Sequence, residues 1–141
     1  MINHQRFQKG FEVLKQSGIR KTPQRLAILE YMATSESHPT VDEIYKDLLG
    51  EIPSLTTATI YSNLKCFKNL KLINELSFGE VASRYEWATS FHYHVRCKLC
   101  GKIVDFHYPK LMEVEEFARI KTGFKVNKHL FELKGVCREC Q

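Results

Sequence analysis

The chain has 141 residues and five cysteines, four of which form two pairs with the same spacing. The pairs are Cys97-x-x-Cys100 and Cys137-x-x-Cys140, whereas Cys66 stands alone. A C-x-x-C pair forms a tight turn that directs two sulfurs at one ion, and two such pairs supply the four thiolates typical of tetrahedral zinc. Because four sulfur ligands leave no open coordination position, the pattern predicts a structural zinc site.

The paired cysteines have two other interpretations. Two disulfides would need an oxidising compartment, and the first residues of the chain lack the apolar segment of a secretory signal peptide. A thioredoxin-like redox pair would open a helix after a parallel strand, and neither pair has that context. We therefore favour zinc and expect the protein to act in the cytoplasm.

Side chains with nitrogen and oxygen donors lie near the first cysteine pair in the sequence. They are Glu86, His92, His94 and Asp105. On an extended strand His92 and His94 point to the same side, and Asp105 on a neighbouring strand can join them. A His-x-His pair is also common as an ordinary surface or core feature, so both interpretations stay open here. A site without thiolates would favour Fe(II), Mn(II) or Zn(II) over Cu(I) and would exchange its metal readily.

His38 lies in the other half of the chain, just ahead of a predicted helix. By itself it would be a turn residue, and we interpret His107 and His129 as structural. If His38 joined ligands from the second half, metal binding would fix the angle between the two halves. An exchangeable metal in such a place suggests sensing.

The elements that must position these residues begin with helices. Residues 4–72 have helical periodicity, with predicted N-caps at Thr22 and Thr40 and a further helix opening at Thr56. That last helix has an apolar face and an opposite face without any acidic residue. The opposite face consists of Thr57, Ala58, Tyr61, Ser62, Lys65 and Lys68. It suits DNA, and the alternative is an ordinary solvated helix face.

A hairpin and a second, smaller unit follow the helices. Residues 72–87 change to a period of two around the turn signal Gly79-Glu80, which predicts a β-hairpin. Helices followed by a hairpin are typical of a winged helix, which places one helix in the DNA major groove. The sequence therefore predicts an α+β protein with an N-terminal winged-helix domain over residues 1–88 and a small αβ domain over residues 89–141.

The second unit is predicted to have β segments over residues 95–108 and 124–136, joined by a helix from Pro109 to Gly123. The apolar stripe of this helix consists of Leu111, Met112, Val114, Phe117 and Ile120. About 50 residues are too few for a strong core, so we expect zinc or a partner subunit to support this unit.

Net charge, composition and length restrict the possible functions less than the motifs do. The chain has 21 Lys and Arg against 16 Asp and Glu, a net charge of +5, which permits a nucleic-acid partner without requiring one. No stretch approaches the roughly 18 apolar residues of a membrane helix, so no membrane partner is expected. The length excludes a large two-domain enzyme.

Motifs along nearly the whole chain resemble the ferric uptake regulator family and are most similar to its peroxide-sensing branch. They are Arg20-Lys21-Thr22-Pro23-Gln24-Arg25, His38-Pro39-Thr40-x-x-Glu43-Ile44-Tyr45, Ala58-Thr59-Ile60-Tyr61-Ser62-Asn63-Leu64, His92-Tyr93-His94-x-x-Cys97-x-x-Cys100-Gly101-Lys102-Ile103-Val104-Asp105-Phe106 and Gly135-Val136-Cys137-x-x-Cys140. The resemblance implies a homodimeric DNA-binding repressor, not an enzyme, with a C-terminal dimerisation domain. It also implies a structural zinc and a regulatory metal between the domains.

The resemblance also assigns residues. The zinc ligands of the family fall on the four paired cysteines, and its regulatory ligands fall on His38, Glu86, His92, His94 and Asp105. In peroxide-sensing members, Fe(II) at this site reacts with hydrogen peroxide and ligand histidines are oxidised, which by position are His38 and His92. Mn(II) would support repression without that oxidation.

Two positions distinguish branches of the family. Glu86 stands where the peroxide sensors usually carry Asp, so an iron-, manganese- or zinc-responsive uptake regulator without peroxide sensing remains the alternative. Tyr93 stands where iron-uptake members often have a further His or Asp, which favours the peroxide branch and argues against a third metal site.

For a palindromic operator, we expect Tyr61, Ser62 and Lys65 to face the DNA groove. Further contacts are expected from Arg20, Lys21, Arg25, Thr57 and Lys68. A rival of another class is a non-haem iron oxygenase, but the second half is too small to enclose an organic substrate beside zinc. A zinc-stapled interaction module is a third possibility and leaves the basic helix face unexplained.

Overall fold

A computed structural model describes residues 2–79, 81–89 and 92–141. Glu80, half of the predicted turn signal, lies outside the described residues, while its neighbour Gly79 has φ +80°. Within the described ranges, no helix is long and apolar enough to cross a membrane.

The chain divides into two compact units, Met1–Ala88 and Thr89–Gln141. The first unit contains four helices and one hairpin. They are α1 (Ile2–Gln16), α2 (Pro23–Thr34), α3 (Val41–Leu48), α4 (Thr57–Asn69), β1 (Ile73–Leu76) and β2 (Arg84–Trp87).

The helices of the first unit begin at capping residues that the sequence identifies. The Thr22 hydroxyl caps α2, and Thr40 and Glu43 form a reciprocal capping box at the start of α3. The Thr56 hydroxyl accepts a hydrogen bond from the Thr59 amide, so Thr56 is the N-cap of α4 and the helix itself begins one residue later than predicted.

The hairpin docks on the segment that leads into α3. Strands β1 and β2 pair antiparallel with Ile73 opposite Trp87, and the Tyr85 amide donates to the Pro39 carbonyl at 3.0 Å. The side chains of Arg84 and Glu86, two residues apart, therefore share one face of the strand.

One apolar core holds the first unit together. Its fully buried members include Leu29 of α2, Ile44 of α3 and Phe67 of α4. Gly10 lets α1 approach α2 closely, since a Cβ atom there would lie 2.8 Å from Cδ1 of Leu29. The core fixes the helices that carry the polar face of α4.

The second unit is a three-stranded sheet with one helix. Its elements are β3 (Tyr93–Cys97), β4 (Ile103–Phe106), α5 (Met112–Thr122), β5 (Leu133–Gly135) and a short 3-10 turn, Arg138–Cys140. The strand order is β4-β3-β5, with β3 antiparallel to β4 and parallel to β5. Gly123, at φ +72°, ends α5 in the left-handed conformation.

Two boundaries in this unit differ from the sequence prediction. Helix α5 begins at Met112 and not at Pro109, because Leu111 has a non-helical ψ of 71° and its amide donates to the Tyr93 hydroxyl. The predicted β segment 124–136 contains a strand only over its last few residues. Earlier in that segment the Arg119 guanidinium binds the Val126 carbonyl, which a strand would use for pairing.

The apolar stripe of α5 is mostly exposed. Phe117 and Ile120 are 63% and 71% exposed, whereas Glu115 is only 2% exposed. The carboxylate tolerates burial because His129 and Arg119 lie beside it. The apolar side chains of α5 thus remain available for contacts outside the chain.

Candidate metal centres and nucleic-acid interface

The four paired cysteines converge in the second unit. Cys97 ends β3, Cys100 follows in the turn, Cys137 directly precedes the C-terminal 3-10 turn, and Cys140 is the last residue of that turn. Their sulfur atoms all lie within 4.8 Å of one another, and Cys100 Sγ is 3.7 Å from Cys137 Sγ. Sulfurs at zinc-bond length in a tetrahedron are about 3.8 Å apart, so the cluster fits zinc.

Backbone donors favour the thiolate form at one of these sulfurs. The amides of Cys137 and Cys100 donate to Cys97 Sγ at 3.3 and 3.5 Å and lower the pKa of that thiol to about 6. At Cys140 the neighbouring sulfurs, Cys137 first, raise the pKa to about 12. Four thiolates this close repel one another, and a divalent cation would offset that repulsion.

A second donor set forms at the other end of β3. His92 directly precedes β3, His94 lies on the strand, and Asp105 lies directly opposite His94 on β4. The two imidazole Nε2 atoms are 3.1 Å apart, and Asp105 carboxylate oxygens lie 3.3 Å from His94 Nε2 and 3.7 Å from His92 Nε2. Donors at about 2.1 Å from an ion lie about 3.0–3.4 Å apart, so these three side chains suit a divalent metal.

The first unit holds its own pair of donors. His38 lies in the segment before α3, and Glu86 lies on β2 with 7% of its surface exposed. His38 Nε2 is 3.5 Å from Oε2 of Glu86, while the Asn74 amide donates to Oε1 of the same carboxylate at 3.3 Å. Asn74 thus holds one carboxylate oxygen, and the other faces the imidazole.

Tyr93 and His129 belong to a polar network that the sequence pattern did not reveal. The Tyr93 hydroxyl is 3.1 Å from His129 Nε2, and His129 Nδ1 is 2.7 Å from the buried Glu115 carboxylate. The hydrogen bond from His129 contributes most to lowering the pKa of Glu115. His129 therefore has a structural role, which agrees with its interpretation from the sequence, while His107 is exposed.

The polar face of α4 is open to solvent. The exposed members are Thr57, Ala58, Tyr61, Ser62, Lys65 and Lys68, and the buried face includes Ile60 and Leu64. Tyr61 is 56% exposed despite its large apolar ring. An accessible aromatic side chain among polar and basic neighbours suits contact with base edges and phosphates.

Three of the basic side chains that are predicted to contact DNA have partners within the first unit. Arg25 Nε donates to the Asn63 amide oxygen and its Nη1 donates to the Arg20 carbonyl, both at 2.7 Å. The Lys68 ammonium lies 3.0 Å from the Glu75 carboxylate on β1, and Lys21 stacks over the Phe11 ring.

Lys65 is exposed on the same face of α4 as Tyr61, and Arg20 is exposed before α2. These side chains remain accessible to a DNA backbone, whereas Arg25 is half-buried and holds α2 against α4.

Comparisons with known proteins agree with this architecture. Residues 16–134 match the ferric uptake regulator family. The peroxide operon regulator of Bacillus subtilis (strain 168) is 53% identical over 132 residues, which cover 94% of this chain and 91% of the relative.

Solved structures of regulators are also similar to this chain along most of its length. The structure of PerR from Streptococcus pyogenes, described for peroxide sensing and gene regulation, is 34% identical with a TM-score of 0.56 and covers 96% of this chain and 92% of its own. The Helicobacter pylori ferric uptake regulator, whose structure reveals three functional metal binding sites, is 22% identical with a TM-score of 0.80 and coverage of 99% and 94%. At that identity it supports the fold alone.

A winged helix joined to a small αβ unit with clustered metal donors defines a metal-dependent transcriptional repressor. The chain belongs to the ferric uptake regulator family, whose members are transcriptional regulators that bind DNA and act as dimers.

Proposed function

We propose that this repressor responds to peroxide through a regulatory Fe(II), which Mn(II) can replace, and that it carries a separate structural zinc. The zinc ligands are the four paired cysteines. The regulatory ligands are His38, Glu86, His92, His94 and Asp105.

The observation that carries the proposal is that each unit assembles its own share of the donors. In the first unit His38 and Glu86 face each other at 3.5 Å, and in the second the His92, His94 and Asp105 donors lie within 3.7 Å of one another. An ion that used both sets would hold the two units in one arrangement. The affinity gained in that arrangement would be the coupling free energy between metal and DNA binding.

Glu86 is compatible with peroxide sensing despite its length. Asn74 already holds Oε1 of the carboxylate, so Oε2 is the oxygen directed at His38. A carboxylate that offers one oxygen occupies one coordination position, as a shorter Asp would. This supports a site with room for peroxide.

Held by these residues, Fe(II) would donate one electron to hydrogen peroxide and take one back from the oxidised ring, so that overall one H2O2 adds an oxygen atom to a ligand imidazole and its other oxygen leaves as water. An oxygen atom added to the His38 or His92 ring withdraws electron density from the ring nitrogens and weakens them as ligands. Loss of His38 would free the first unit from the metal, and DNA affinity would fall.

Exposed surfaces support the rest of the proposal. Tyr61, Ser62 and Lys65 are exposed on α4, with Thr57 at the start of the helix, and this exposure supports a role for them in reading the major groove of a palindromic operator. Phe117 and Ile120 lie on an exposed apolar face of α5 that suits a second copy of the chain. We expect the protein to act in the cytoplasm, where operator DNA lies.

Intact-mass measurement of the Fe(II)-loaded full-length protein before and after dilute hydrogen peroxide tests the proposal. We expect a gain of one oxygen that peptide mapping assigns to His38 or His92, together with release of DNA. The matched Mn(II)-loaded protein should remain unmodified. An Fe(II) form that keeps its mass and its DNA after peroxide would instead make the protein a metal-uptake regulator without peroxide sensing.

A further inference from the structure

Arg84 lies at the junction between the metal-binding segment of the first unit and the DNA-reading helices. It precedes Glu86 by two residues on β2, so both side chains project from the same face of the hairpin. A single guanidinium nitrogen, Nη1, donates to the His38 carbonyl oxygen at 2.8 Å and lies 3.0 Å from Oε1 of Glu43.

Glu43 connects this contact to the start of α3. Its Oε1 also accepts from the Thr40 hydroxyl at 3.1 Å, and its amide donates back to that hydroxyl at 3.2 Å. Arg84 therefore joins the backbone of one proposed metal ligand, His38, to the capping box of α3. A charge-assisted hydrogen bond of this kind is about twice as strong as a neutral one.

Helix α3 is coupled to α4 through their shared core. The buried side chains of Ile44 on α3 and Ile60 on α4 belong to one core cluster. A shift in the first turn of α3 must therefore be accommodated by the helix that carries Tyr61 and Lys65, because packed cores resist continuous deformation.

We infer that Arg84 is a positioning residue that transmits the effect of metal binding at His38 and Glu86 to α4, the helix proposed to read DNA. This inference rests on the proposed function, in which both residues bind the regulatory metal. An ion held between them restrains the His38 segment against β2, and Arg84 extends that restraint to α3. Without Arg84, the Tyr85-to-Pro39 backbone hydrogen bond still joins the two segments, but the charged link to α3 is lost.

The test measures how much metal binding increases DNA affinity. The probe is a duplex enriched from random DNA by the Mn(II)-loaded wild-type protein. Its affinity is measured for zinc-replete protein with saturating Mn(II) and after removal of exchangeable metal. Arg84→Gln should keep its Mn(II) affinity, while the increase in DNA affinity caused by Mn(II) falls about two- to fivefold, the order expected for a charge pair whose carboxylate is half exposed.

Arg25→Lys is the matched control. Arg25 also joins two segments through its guanidinium, but its partners are Asn63 and the Arg20 carbonyl, away from the His38 segment. This variant should weaken DNA binding with and without Mn(II) by the same factor. The Mn(II)-dependent increase should therefore equal that of the wild type.

Glu43→Gln provides a second variant that keeps the capping box and removes the charge opposite Arg84. It should reduce the Mn(II)-dependent increase, and combining it with Arg84→Gln should cause little further loss, because both changes remove one contact. Amide exchange gives an independent readout: Mn(II) should protect the first turn of α3 in the wild type and fail to do so in either variant.

The outcomes separate the inference from the proposed function. If the DNA affinity of the wild-type protein were the same with and without Mn(II), the proposed function itself would be contradicted. A Mn(II)-responsive wild type together with an equally responsive Arg84→Gln variant would overturn the inference alone. So would an Arg84→Gln variant whose response is lost only because it no longer binds Mn(II).

Discussion

The guanidinium Nε of Arg25 lies 2.7 Å from the side-chain oxygen of Asn63 and thereby joins α2 to the buried side of α4. Asn63 is 5% exposed, and its amide nitrogen in turn donates to the Thr59 carbonyl one turn earlier in α4. A buried residue in the middle of α4 thus fixes the position of that helix and does not lie on its exposed polar face.

Replacing Asn63 by Ala should therefore destabilise the first unit. The change leaves the half-buried Arg25 guanidinium without its amide partner, which costs about 1–3 kcal/mol. Urea unfolding of the full-length protein measures the loss. Asn69→Ala, an exposed position on the same helix, should change the free energy of unfolding by less than about 0.5 kcal/mol. Equal effects of the two variants would contradict this role for Asn63.

The two lysines of α4 should differ in their contribution to DNA binding. Lys65→Ala should weaken binding and reduce the slope of log affinity against log salt by about 1, since one phosphate contact is lost. Lys68→Ala should change the slope less, because Glu75 already neutralises the Lys68 ammonium. Anisotropy titrations over a range of salt concentrations measure both slopes. A larger change for Lys68 would show that its ion pair opens on DNA.

Removing one zinc ligand should unfold the second unit. Cys97→Ser takes away the thiol that two backbone amides hold in place, and a structural zinc site contributes its binding free energy directly to folding. Zinc content and amide exchange of β3 and α5 report the loss. Cys66→Ser, which lies on α4, should keep both zinc and protection. A folded, metal-responsive Cys97→Ser dimer would refute the structural assignment.

Removing the His38 side chain should reduce metal-dependent DNA binding without unfolding the protein. His38→Ala should remain a zinc-loaded folded dimer, whereas its Mn(II)-dependent DNA binding should fall at least about tenfold, as expected for loss of a metal ligand. His4→Ala is the control, since His4 is exposed on α1 and belongs to neither donor set. Size-exclusion chromatography and DNA titration with Mn(II) distinguish the two variants. Normal metal-dependent binding by His38→Ala would exclude it as a ligand.

The buried Glu115 should make the second unit sensitive to acid. Its pKa is lowered, chiefly by the hydrogen bond from His129, so its ionised form stabilises the folded state above the ordinary carboxyl pKa near 4.5. That stabilisation is lost as the pH falls through the lower folded pKa. Glu115→Gln should lose stability at neutral pH and differ less from the wild type in acid.

Glu116→Gln is the control for this measurement. Glu116 is exposed and pairs with Arg119 on the same helix, so its removal should have little effect at either pH. Thermal unfolding followed from pH 7 into the acid range compares the three proteins. A difference between Glu115→Gln and wild type that does not shrink in acid would contradict the ionised form as the source of stability.

Much of this protein could be predicted from its sequence, because the signals are local. Thr22, Thr40 and Thr56 mark helix starts through hydrogen bonds that span three residues, and Gly123 marks a helix end. The spacing within the C-x-x-C pairs and the His-x-His pair is enough to suggest them as metal ligands. Family membership follows from such motifs, since together they are specific along nearly the whole chain.

Other features depend on contacts between distant residues, and only the tertiary structure decides them. The sequence predicts Arg25 as a phosphate contact, and only the fold shows that its guanidinium also binds Asn63, 38 residues away. Helix α5 has an apolar stripe, yet its buried residue is Glu115, which pairs with His129 from 14 residues further along the chain. Periodicity reports which side chains share a face of a helix. Which face is buried depends on what packs against it, and local sequence does not encode that.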